Sequence, residues 1–331
     1  MLIRMSQGYQ LSQALYVAAK LGVADALVGG PLDAEDVAEA VGARAPELRR
    51  ILRALVAAGV FAETDDGRIG LNEAAAALQS DAPAHTRDIV VNFGEEMYRS
   101  FGELLHTVRT GETAFEVVFG QPLFDYYGSH PEAEASGAAR MTARSLPASR
   151  QLATSDLARG ASTVVDIGGG LGTMTAALLA ARPELRAVLY ERPTMLPRAR
   201  DFLAAQGVAD RCDLVAGDFF ASVPDGADLY LLKNVLHDWD DDRCRTILRN
   251  CRAAMSGTAR LAIVELVLPE RMTADPALVR PALLDLIMLA HAGGRERTET
   301  EFAHLLEEAG LRLERTSVLA AGPSVLEASV A

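Results

Sequence analysis

The chain has 331 residues, of which 50% are hydrophobic and 23% are charged; this suits about two domains with a buried core and excludes a disordered chain. Its 32 Lys and Arg against 45 Asp and Glu give a formal net charge of −13, which argues against a protein that wraps nucleic-acid phosphates. The sequence shows neither a signal-peptide pattern nor an apolar run of about 18 residues, so we expect a cytoplasmic protein without a membrane span.

The three cysteines, Cys212, Cys244 and Cys251, form no CxxC pair and lie at no zinc-ligand spacing with a histidine. Cys244 and Cys251 are spaced so that they would share one face of a helix. We therefore expect reduced thiols in the protein core.

The first predicted elements are helical. Residues 10–30 carry apolar side chains at helical spacing and end at a glycine pair. Residues 32–72 predict a helix, a turn, a second helix from Pro46, and two short strands around 65–67. A helix-turn-helix followed by a hairpin is typical of a winged helix.

A winged helix can recognise DNA through its second helix, where this chain carries Arg49, Arg50 and Arg53. The segment 32–72 holds eight acidic residues and five arginines, for a net charge of −3. This charge favours a winged helix that contacts protein, with a DNA-binding regulator as the less favoured interpretation.

After residue 72, the predicted secondary structure changes once, from helical segments to alternating strands and helices. Residues 73–158 are predicted to be almost wholly helical. From Ser162, apolar strand-like runs alternate with helical ones, which predicts an α/β fold with a parallel sheet and helices on both of its faces. The strand-like runs are 163–167, 187–190, 213–216, 228–232 and 260–266, followed by 311–318 and 324–330.

A glycine-rich turn is predicted at VVDIGGGLG, residues 164–172, where a buried strand leads into a helix. Gly168, Gly170 and Gly172 allow a sharp turn and a close approach between the backbone and a ligand. Asp166, at the strand end, could attract a cationic ligand or accept hydrogen bonds. No P-loop Lys-Ser/Thr pair follows, so a nucleoside triphosphate is not expected.

Two more acidic residues follow the next two strands. Glu191 ends the run AVLYE, where a carboxylate can bind both hydroxyls of a ribose. Asp218, in GDFF, could accept a hydrogen bond from an adenine amino group while Phe219 packs against the ring. The GxGxG spacing, in contrast to the GxGxxG of dinucleotide sites, favours S-adenosylmethionine (SAM) over a nicotinamide dinucleotide.

A polar cluster follows the next strand, in LLKNVLHDWDDDRCRTILRNC. Asp240 or Asp241 is expected to cap the following helix. His237 lies at the carboxyl edge of the sheet, where α/β enzymes hold catalytic residues; by itself it suits a structural role as well as that of a base. Trp239 suits the core as well as a wall that stacks on adenine. Consecutive acids do not converge on one ion, so no metal site is predicted.

These motifs, in this order, resemble the plant-type O-methyltransferases. This SAM-dependent family includes the caffeic acid and acetylserotonin methyltransferases, and bacterial relatives that act on polyketides and other aromatic natural products. The resemblance covers essentially the whole chain, and LHDW and GGRERT are its most specific segments. It is carried by DIGGGLG, GDFF, KNVLHDWDDDRCRTIL, VELVLPE and DLIMLAHAGGRERTETEF.

The resemblance implies an α/β fold: a Rossmann-like class I methyltransferase domain behind a helical, winged-helix dimerisation domain. It divides the chain into a winged-helix-like dimerisation domain (1–95), a helical linker and acceptor-pocket region (96–158), and a SAM-binding Rossmann-like domain (159–331). It also implies a homodimer in which the partner chain helps to close the acceptor pocket.

The resemblance places the catalytic base on His237 and its supporting carboxylates on Glu265 and Glu296. A carboxylate on one imidazole nitrogen would fix the tautomer, and the other nitrogen would face the substrate. From the sequence pattern and the resemblance together, the predicted SAM contacts are Asp166, Gly168, Gly170, Glu191, Asp218, Phe219, Lys233 and Trp239. The predicted contacts to an aromatic acceptor are Met141, Arg144 and Met288.

Three departures from the family pattern bear on the substrate. Glu191 replaces the usual Asp, residues 128–140 and Arg144 are less aromatic than a typical acceptor-pocket helix, and the loop before GGRE is shorter than in the plant enzymes. The predicted function is methyl transfer from SAM to a phenolic or enolic hydroxyl of an aromatic or polyketide-type small molecule, with His237 as general base. The alternative is a SAM-binding relative that catalyses hydroxylation, decarboxylation or a pericyclic step.

Overall fold

The computed structural model describes residues 1–82, 85–320 and 322–331, and between 132 and 144 it describes the side chains of 133, 134, 137, 138, 141 and 142 only. The side chain of Arg144, a predicted acceptor contact, is outside the described residues. The chain forms two compact units, residues 1–102 with 132–143 and residues 103–131 with 144–331. None of the helices in the described ranges combines the length and apolar composition needed to cross a membrane.

The first unit is mainly helical and contains one small hairpin. Helices α4 (Ala34–Ala40) and α5 (Ala45–Ala57), followed by the hairpin of β1 (Ala62–Glu63) and β2 (Ile69–Gly70), match the predicted winged-helix pattern. Leu32 pairs with Ile69 beside the hairpin. Its elements are α1 (Leu2–Ser6), α2 (Gly8–Leu21), α3 (Val23–Ala26), α4 (Ala34–Ala40), α5 (Ala45–Ala57), β1 (Ala62–Glu63), β2 (Ile69–Gly70), α6 (Glu73–Ala76), α7 (Thr86–Asn92), a π-helical turn (Phe93–Met97) and α8 (Tyr98–Phe101).

The predicted single helix over residues 10–30 is wrong in one respect, because the chain breaks at Gly22. Gly22 adopts a left-handed conformation with φ 74°, and its N–H donates to the carbonyl oxygens of Ala18 and Ala19. Glycine tolerates this conformation at a helix C-terminus, so the helix ends at Leu21 and a separate short helix follows.

The core of the first unit lies between α2 and α5. On α5 the buried residues Leu48, Leu52 and Leu55 are spaced by three and four positions, so they share one face. On α2 the small residues Ala14 and Ala18 are buried and allow the helices to approach closely.

The second unit contains the larger sheet. Helix α12 begins in this unit, contributes residues to the first one and returns. The elements are α9 (Leu104–Thr110), α10 (Ala114–Phe119), α11 (Leu123–Ser129), α12 (Pro131–Ala153), β3 (Thr163–Ile167), α13 (Thr173–Ala181), β4 (Arg186–Glu191), α14 (Leu196–Ala205), β5 (Cys212–Ala216), β6 (Leu229–Lys233), α15 (Asp241–Ala254), β7 (Arg260–Glu265), β8 (Val267–Leu268), α16 (Pro276–His291), β9 (Arg297–Thr298), α17 (Glu299–Glu308), β10 (Leu311–Val318) and β11 (Ser324–Val330), with short 3-10 turns at Ala209–Arg211 and Leu236–Asp238.

The main sheet of the described residues has seven strands in the order β10-β11-β7-β6-β3-β4-β5. Strands β3 to β7 pair in parallel, as the alternation of elements predicts. Strand β11 instead pairs antiparallel with both β10 and β7, so the sheet is mixed rather than wholly parallel. The connection 319–323 is too short for a parallel crossover, which explains this difference.

Both faces of the sheet are buried, because successive side chains on each strand point to opposite sides. On β3, Val165 and Ile167 belong to one core cluster and Val164 to the other. On β6, Tyr230 and Leu231 likewise lie in different clusters. The carboxyl ends of these buried strands carry the polar side chains described below.

The three cysteines are free thiols in the core, which confirms the prediction. Cys244 and Cys251 are 0% exposed and Cys212 is 8% exposed. Burial raises the pKa of each thiol to about 12.

Candidate active site

The predicted glycine turn joins β3 to α13. Gly168, Gly170 and Gly172 have φ angles of 65°, 60° and 82°, in the left-handed region that favours glycine. A Cβ on Gly169, which the sequence analysis did not select, would lie only 2.4 Å from Leu189 Cδ1. The run of glycines is therefore required by backbone conformation at three positions and by close packing at the fourth.

Asp166 lies directly against this turn and is 1% exposed. The Thr175 hydroxyl of α13 donates to Asp166 Oδ2 at 2.6 Å. Oδ1 is buried and has no hydrogen-bond partner among the described residues. Burial raises the pKa of Asp166 to about 6, even though Thr175 and Lys233 favour its charged form.

Glu191 ends β4 beside the same turn. The Gly170 N–H donates to Oε2 at 3.0 Å, and the Arg192 N–H donates to Oε1 at 2.8 Å. Each carboxylate oxygen accepts more than one hydrogen bond, so both oxygens keep capacity for the hydroxyls of a ribose.

The turn after β5 is fixed by hydrogen bonds at two positions. Asp218 Oδ1 accepts from the Phe220 N–H at 2.8 Å. The Asn250 side chain of α15 donates to the carbonyl oxygens of Phe219 and Phe220 at 2.8 and 2.9 Å. Asn250 was missed by the sequence analysis, because nothing in its neighbourhood on α15 distinguishes it from a surface residue.

Trp239 belongs to an aromatic cluster that also contains Phe124, Phe219 and Phe220. Its ring lies 4.8 Å from that of Phe220, edge to face, and 5.2 Å from that of Phe124, stacked at 27°. Arg243 lies over the Trp239 ring at 5.1 Å, within the range of a cation–π interaction. Phe124 was also missed, because it comes from α11, far away in sequence.

These side chains fit SAM. The orphaned Asp166 Oδ1 can accept from an ammonium group, Glu191 lies beside the glycine turn, and the aromatic cluster offers ring faces. Lys233, at the end of β6, is engaged with Ser145, since its Nζ donates to Ser145 Oγ.

His237 lies in the 3-10 turn Leu236–Asp238 that follows β6, and it is 7% exposed. Its Nδ1 is 3.0 Å from Glu296 Oε1 and 3.5 Å from Glu265 Oε2. Its Nε2 is 3.6 Å from Asp238 Oδ1, beyond hydrogen-bond distance. The structure thus brings together the three residues that the resemblance selected as base and supporting carboxylates.

Glu265 is held through its carboxylate and Glu296 through its backbone N–H. Glu265, the last residue of β7, is 0% exposed, and its Oε1 accepts from the N–H groups of Val235 and Leu236 at 2.9 and 3.0 Å. The Glu296 N–H donates to Asp285 Oδ1 at 2.8 Å. Oε2 of Glu265 and Oε2 of Glu296 are buried without a hydrogen-bond partner in the described part of the chain.

The charges of this cluster are strongly coupled. Burial opposes protonation of His237, but the carboxylates of Glu265, Asp238 and Glu296 raise its pKa to about 10. Burial raises the pKa of Glu265 to about 7 and that of Asp238 to about 6, although the His237 charge lowers both. The arrangement therefore favours a positively charged imidazole among buried carboxylates.

The acidic run 238–242 does not form one site. Asp240 is the predicted helix cap, since its side chain accepts from the N–H of the third residue of α15. The four carboxylates face different groups: the His237 imidazole for Asp238, the Arg243 N–H for Asp240, the Arg297 guanidinium for Asp241 and the Arg245 guanidinium for Asp242.

Donor atoms of His237, Glu265 and Glu296 also lie within 4.8 Å of one another, close enough for a metal ion to bridge them. The contact between Nδ1 and Glu296 Oε1 is at hydrogen-bond distance, however, so a proton between the two atoms accounts for their separation without an ion.

The predicted acceptor contacts are described only in part. Met141 is 37% exposed on α12, within the first unit. Met288 is half-buried on α16, within the second unit. Their role on either side of an acceptor, like that of Arg144, stays a prediction.

Two family models match the chain. A model described as an O-methyltransferase domain matches residues 101–312, and one described as an O-methyltransferase dimerisation domain matches residues 3–81. The chain is 43% identical over 333 aligned positions to phenazine O-methyltransferase PhzM of Lysobacter antibioticus, covering 99% of this chain and 95% of that protein. It is 41% identical to mitomycin biosynthesis 6-O-methyltransferase of Streptomyces lavendulae, covering 96% and 90%.

Another relative is named as an N-methyltransferase, which transfers a methyl group to nitrogen. Phenazine-1-carboxylate N-methyltransferase of Pseudomonas aeruginosa is 33% identical, covering 95% of this chain and 92% of that protein. Among solved structures, the O-methyltransferase NcsB1 from neocarzinostatin biosynthesis, in complex with SAM and 2-hydroxy-5-methyl naphthoic acid, has a TM-score of 0.87 at 32% identity, covering 97% and 96%.

Proposed function

This chain belongs to the SAM-dependent O-methyltransferase family, and from that premise we propose that it methylates a phenolic or enolic hydroxyl of an aromatic or polyketide-type small molecule, with His237 as general base. The observation that carries the proposal is the asymmetry of the two imidazole nitrogens. Nδ1 contacts Glu296 at 3.0 Å, whereas Nε2 lies outside hydrogen-bond distance of Asp238.

His237 takes the acceptor's proton on Nε2. When Nδ1–H donates to Glu296, the neutral imidazole has its lone pair on Nε2. Removal of the hydroxyl proton makes the acceptor oxygen a stronger nucleophile. General-base catalysis of this type contributes about 10²–10⁴-fold to a rate.

The surrounding carboxylates stabilise the imidazolium that results. Burial alone would lower the pKa of His237, but Glu265, Asp238 and Glu296 raise it to about 10. His237 can therefore take the acceptor's proton only after its own imidazolium has lost a proton to solvent, and the same carboxylates then stabilise the imidazolium that forms again when the acceptor hydroxyl is deprotonated.

The cofactor contacts follow from the same surroundings. SAM, when bound, supplies a methyl group on a positively charged sulfur, and the bond of that methyl to the acceptor oxygen replaces its bond to sulfur. Glu191 would bind the ribose hydroxyls beside Gly168 and Gly170. Asp218 would accept from the adenine amino group. Contacts proposed around these are Asp166 at the ammonium group, Lys233 beside Asp166, and Phe219 and Trp239 against the adenine.

The acceptor is proposed from the comparisons and the sequence. Relatives named for a phenazine and a complex with a naphthoic acid support an aromatic acceptor. Met141, Arg144 and Met288 are the proposed contacts to it. The dimerisation domain at residues 3–81 indicates a homodimer.

The test is a product-mass screen. Purified protein is incubated with SAM and hydroxylated phenazines, naphthoates and quinones, and each product is examined for the added mass of one methyl group. The NMR shift of that methyl group then distinguishes oxygen from nitrogen as its acceptor. Turnover without any added methyl group would instead support the non-methylating alternative.

The base assignment needs a matched pair of variants. His237→Asn should lower kcat by about 10²–10⁴-fold. His304→Asn, which changes an exposed histidine of α17, should leave kcat unchanged. Wild-type kcat in folded His237→Asn would show that another group takes the proton.

A further inference from the structure

The turn that carries His237 is held at both of its ends by one buried side chain. Arg297 is 0% exposed, among the largest fully buried side chains in the described residues. Its Nη1 donates to the Leu236 carbonyl oxygen at 3.0 Å, and its Nη2 donates to the Trp239 carbonyl oxygen at 2.8 Å. These carbonyls lie immediately before His237 and immediately after Asp238.

The charge of Arg297 is balanced by Asp241, the first residue of α15. Asp241 Oδ1 accepts from Arg297 Nε at 3.1 Å and from Nη2 at 2.8 Å. The planar guanidinium has donors in fixed directions, so it fixes the position of the start of α15 relative to both ends of the turn. A lysine ammonium is a compact charge that cannot reproduce this fork.

The position of Arg297 in the chain links the turn to both glutamates. Arg297 follows Glu296 directly, and it pairs with Val267 in the short β8–β9 ladder. Val267 lies two residues after Glu265. The guanidinium therefore fixes the His237 turn against the same backbone segments that carry the two carboxylates.

We propose that Arg297 is a positioning residue for methyl transfer: held by Asp241, its guanidinium fixes the turn so that His237 Nδ1 stays on Glu296 and Nε2 faces the acceptor. Arg297 acts on the reaction through His237. Only the expected effect of Arg297 on the rate of methyl transfer rests on the proposed function. A merely structural ion pair would change stability and leave the orientation of the imidazole unchanged.

The variants separate geometry from charge. Arg297→Lys keeps a buried cation but not the fork, and Arg297→Met removes the charge at similar length. Arg295→Met is the matched control, because Arg295 is nearby, exposed and bonded to Asp241 Oδ2 at 2.7 Å. Within the described part of the chain, its guanidinium pairs with Asp241 and Glu301 and not with the turn. If Arg297→Met fails to fold, Arg297→Lys carries the test.

The first readout needs no acceptor. In protein with labelled histidine, the NMR signal of the His237 Nδ1–H is identified by its loss in His237→Asn. We expect that signal to be exchange-broadened or shifted in Arg297→Lys and Arg297→Met and unchanged in Arg295→Met. A wild-type signal in folded Arg297→Lys would overturn the proposal, as would an equal change in Arg295→Met.

The second readout uses an acceptor from the product-mass screen. We expect kcat of Arg297→Lys to fall by about 10²-fold, the loss typical of a small misplacement, with little change in the KM of the acceptor. Wild-type kcat in Arg297→Lys would overturn the proposal. If His237→Asn keeps full activity, the base assignment fails on its own, and the NMR comparison still decides whether Arg297 orients the imidazole.

Discussion

Gly294 lies so close to His237 that a Cβ on Gly294 would sit 2.0 Å from the His237 carbonyl oxygen. The same Cβ would lie 2.4 Å from Asp238 C and 2.5 Å from Trp239 N. All three atoms are backbone and cannot rotate away as a flexible side chain could. The second glycine of GGRE is therefore a packing requirement of the turn that carries the proposed base.

Gly294→Ala should displace that turn. We expect a loss of about 1–3 kcal/mol in the free energy of unfolding, typical of overpacking, and a fall in kcat of about 10²-fold. Chemical denaturation and steady-state kinetics measure the two effects. Gly257→Ala, at an exposed glycine with no atom within 4 Å of the added Cβ, is the control; equal losses in both variants would contradict the prediction.

Glu296→Gln should lower the pKa of His237. The Glu296 carboxylate is one of the groups that raise this pKa to about 10, and an amide lacks the negative charge. NMR titration of the labelled His237 ring measures the change, and the pH profile of kcat/KM should move toward lower pH with it. Glu307→Gln, on the exposed side of α17, is the matched control. An unchanged titration of His237 in Glu296→Gln would show that this carboxylate is not coupled to the ring.

Glu191→Ala should weaken binding of S-adenosylhomocysteine. The change removes the carboxylate proposed for the ribose and the acceptor of the Gly170 N–H, and a lost hydrogen bond to a charged group costs about 1.5–3 kcal/mol, or roughly tenfold or more in Kd. Calorimetric titration measures the loss. Glu184→Ala, exposed just before β4, should bind as the wild type does. Equal Kd values for wild type and Glu191→Ala would remove Glu191 from the site.

Asp166→Asn should change how stability depends on pH. Burial raises the pKa of Asp166 from 3.8 to about 6. The contribution of its protonated carboxyl to the free energy of unfolding is therefore fully present below pH 3.8 and is lost as the pH rises to about 6. Asn stays neutral and keeps an acceptor for the Thr175 hydroxyl. Relative to Asp166→Asn, the wild type should therefore lose up to about 3 kcal/mol across this interval. Urea unfolding at several pH values measures the difference, and parallel curves would contradict it.

Local sequence patterns predicted most of the second unit. The segments predicted as strands over 163–167, 311–318 and 324–330 have those bounds in the structure. Strands β3 and β11 are recognisable because most of their residues are buried, whereas β10 is a largely exposed edge strand. The break at Gly22 was not predicted, because the apolar periodicity continues across it while the backbone does not.

The candidate site was predicted only where its residues lie in a motif. Asp166 and Glu191 lie at the carboxyl ends of β3 and β4, and His237 follows β6, so topology alone brings them to one edge of the sheet. Phe124 and Asn250 reach the site through packing between distant helices, for which a single sequence carries no signal. Glu265 and Glu296 were assigned through the family resemblance. Glu265 ends β7, the parallel neighbour of the strand before His237, whereas Glu296 directly precedes a short strand ladder that no periodicity reveals.

The burial of all three cysteines makes the protein well suited to site-specific labelling. With each thiol in the core and its pKa raised to about 12, the thiolate, which is the form that attacks alkylating reagents, is scarce at neutral pH. A single cysteine introduced at an exposed position would then take a fluorophore or spin label without removal of the native ones. A pair of such labels, one in each compact unit, would report the distance between the units with and without ligand.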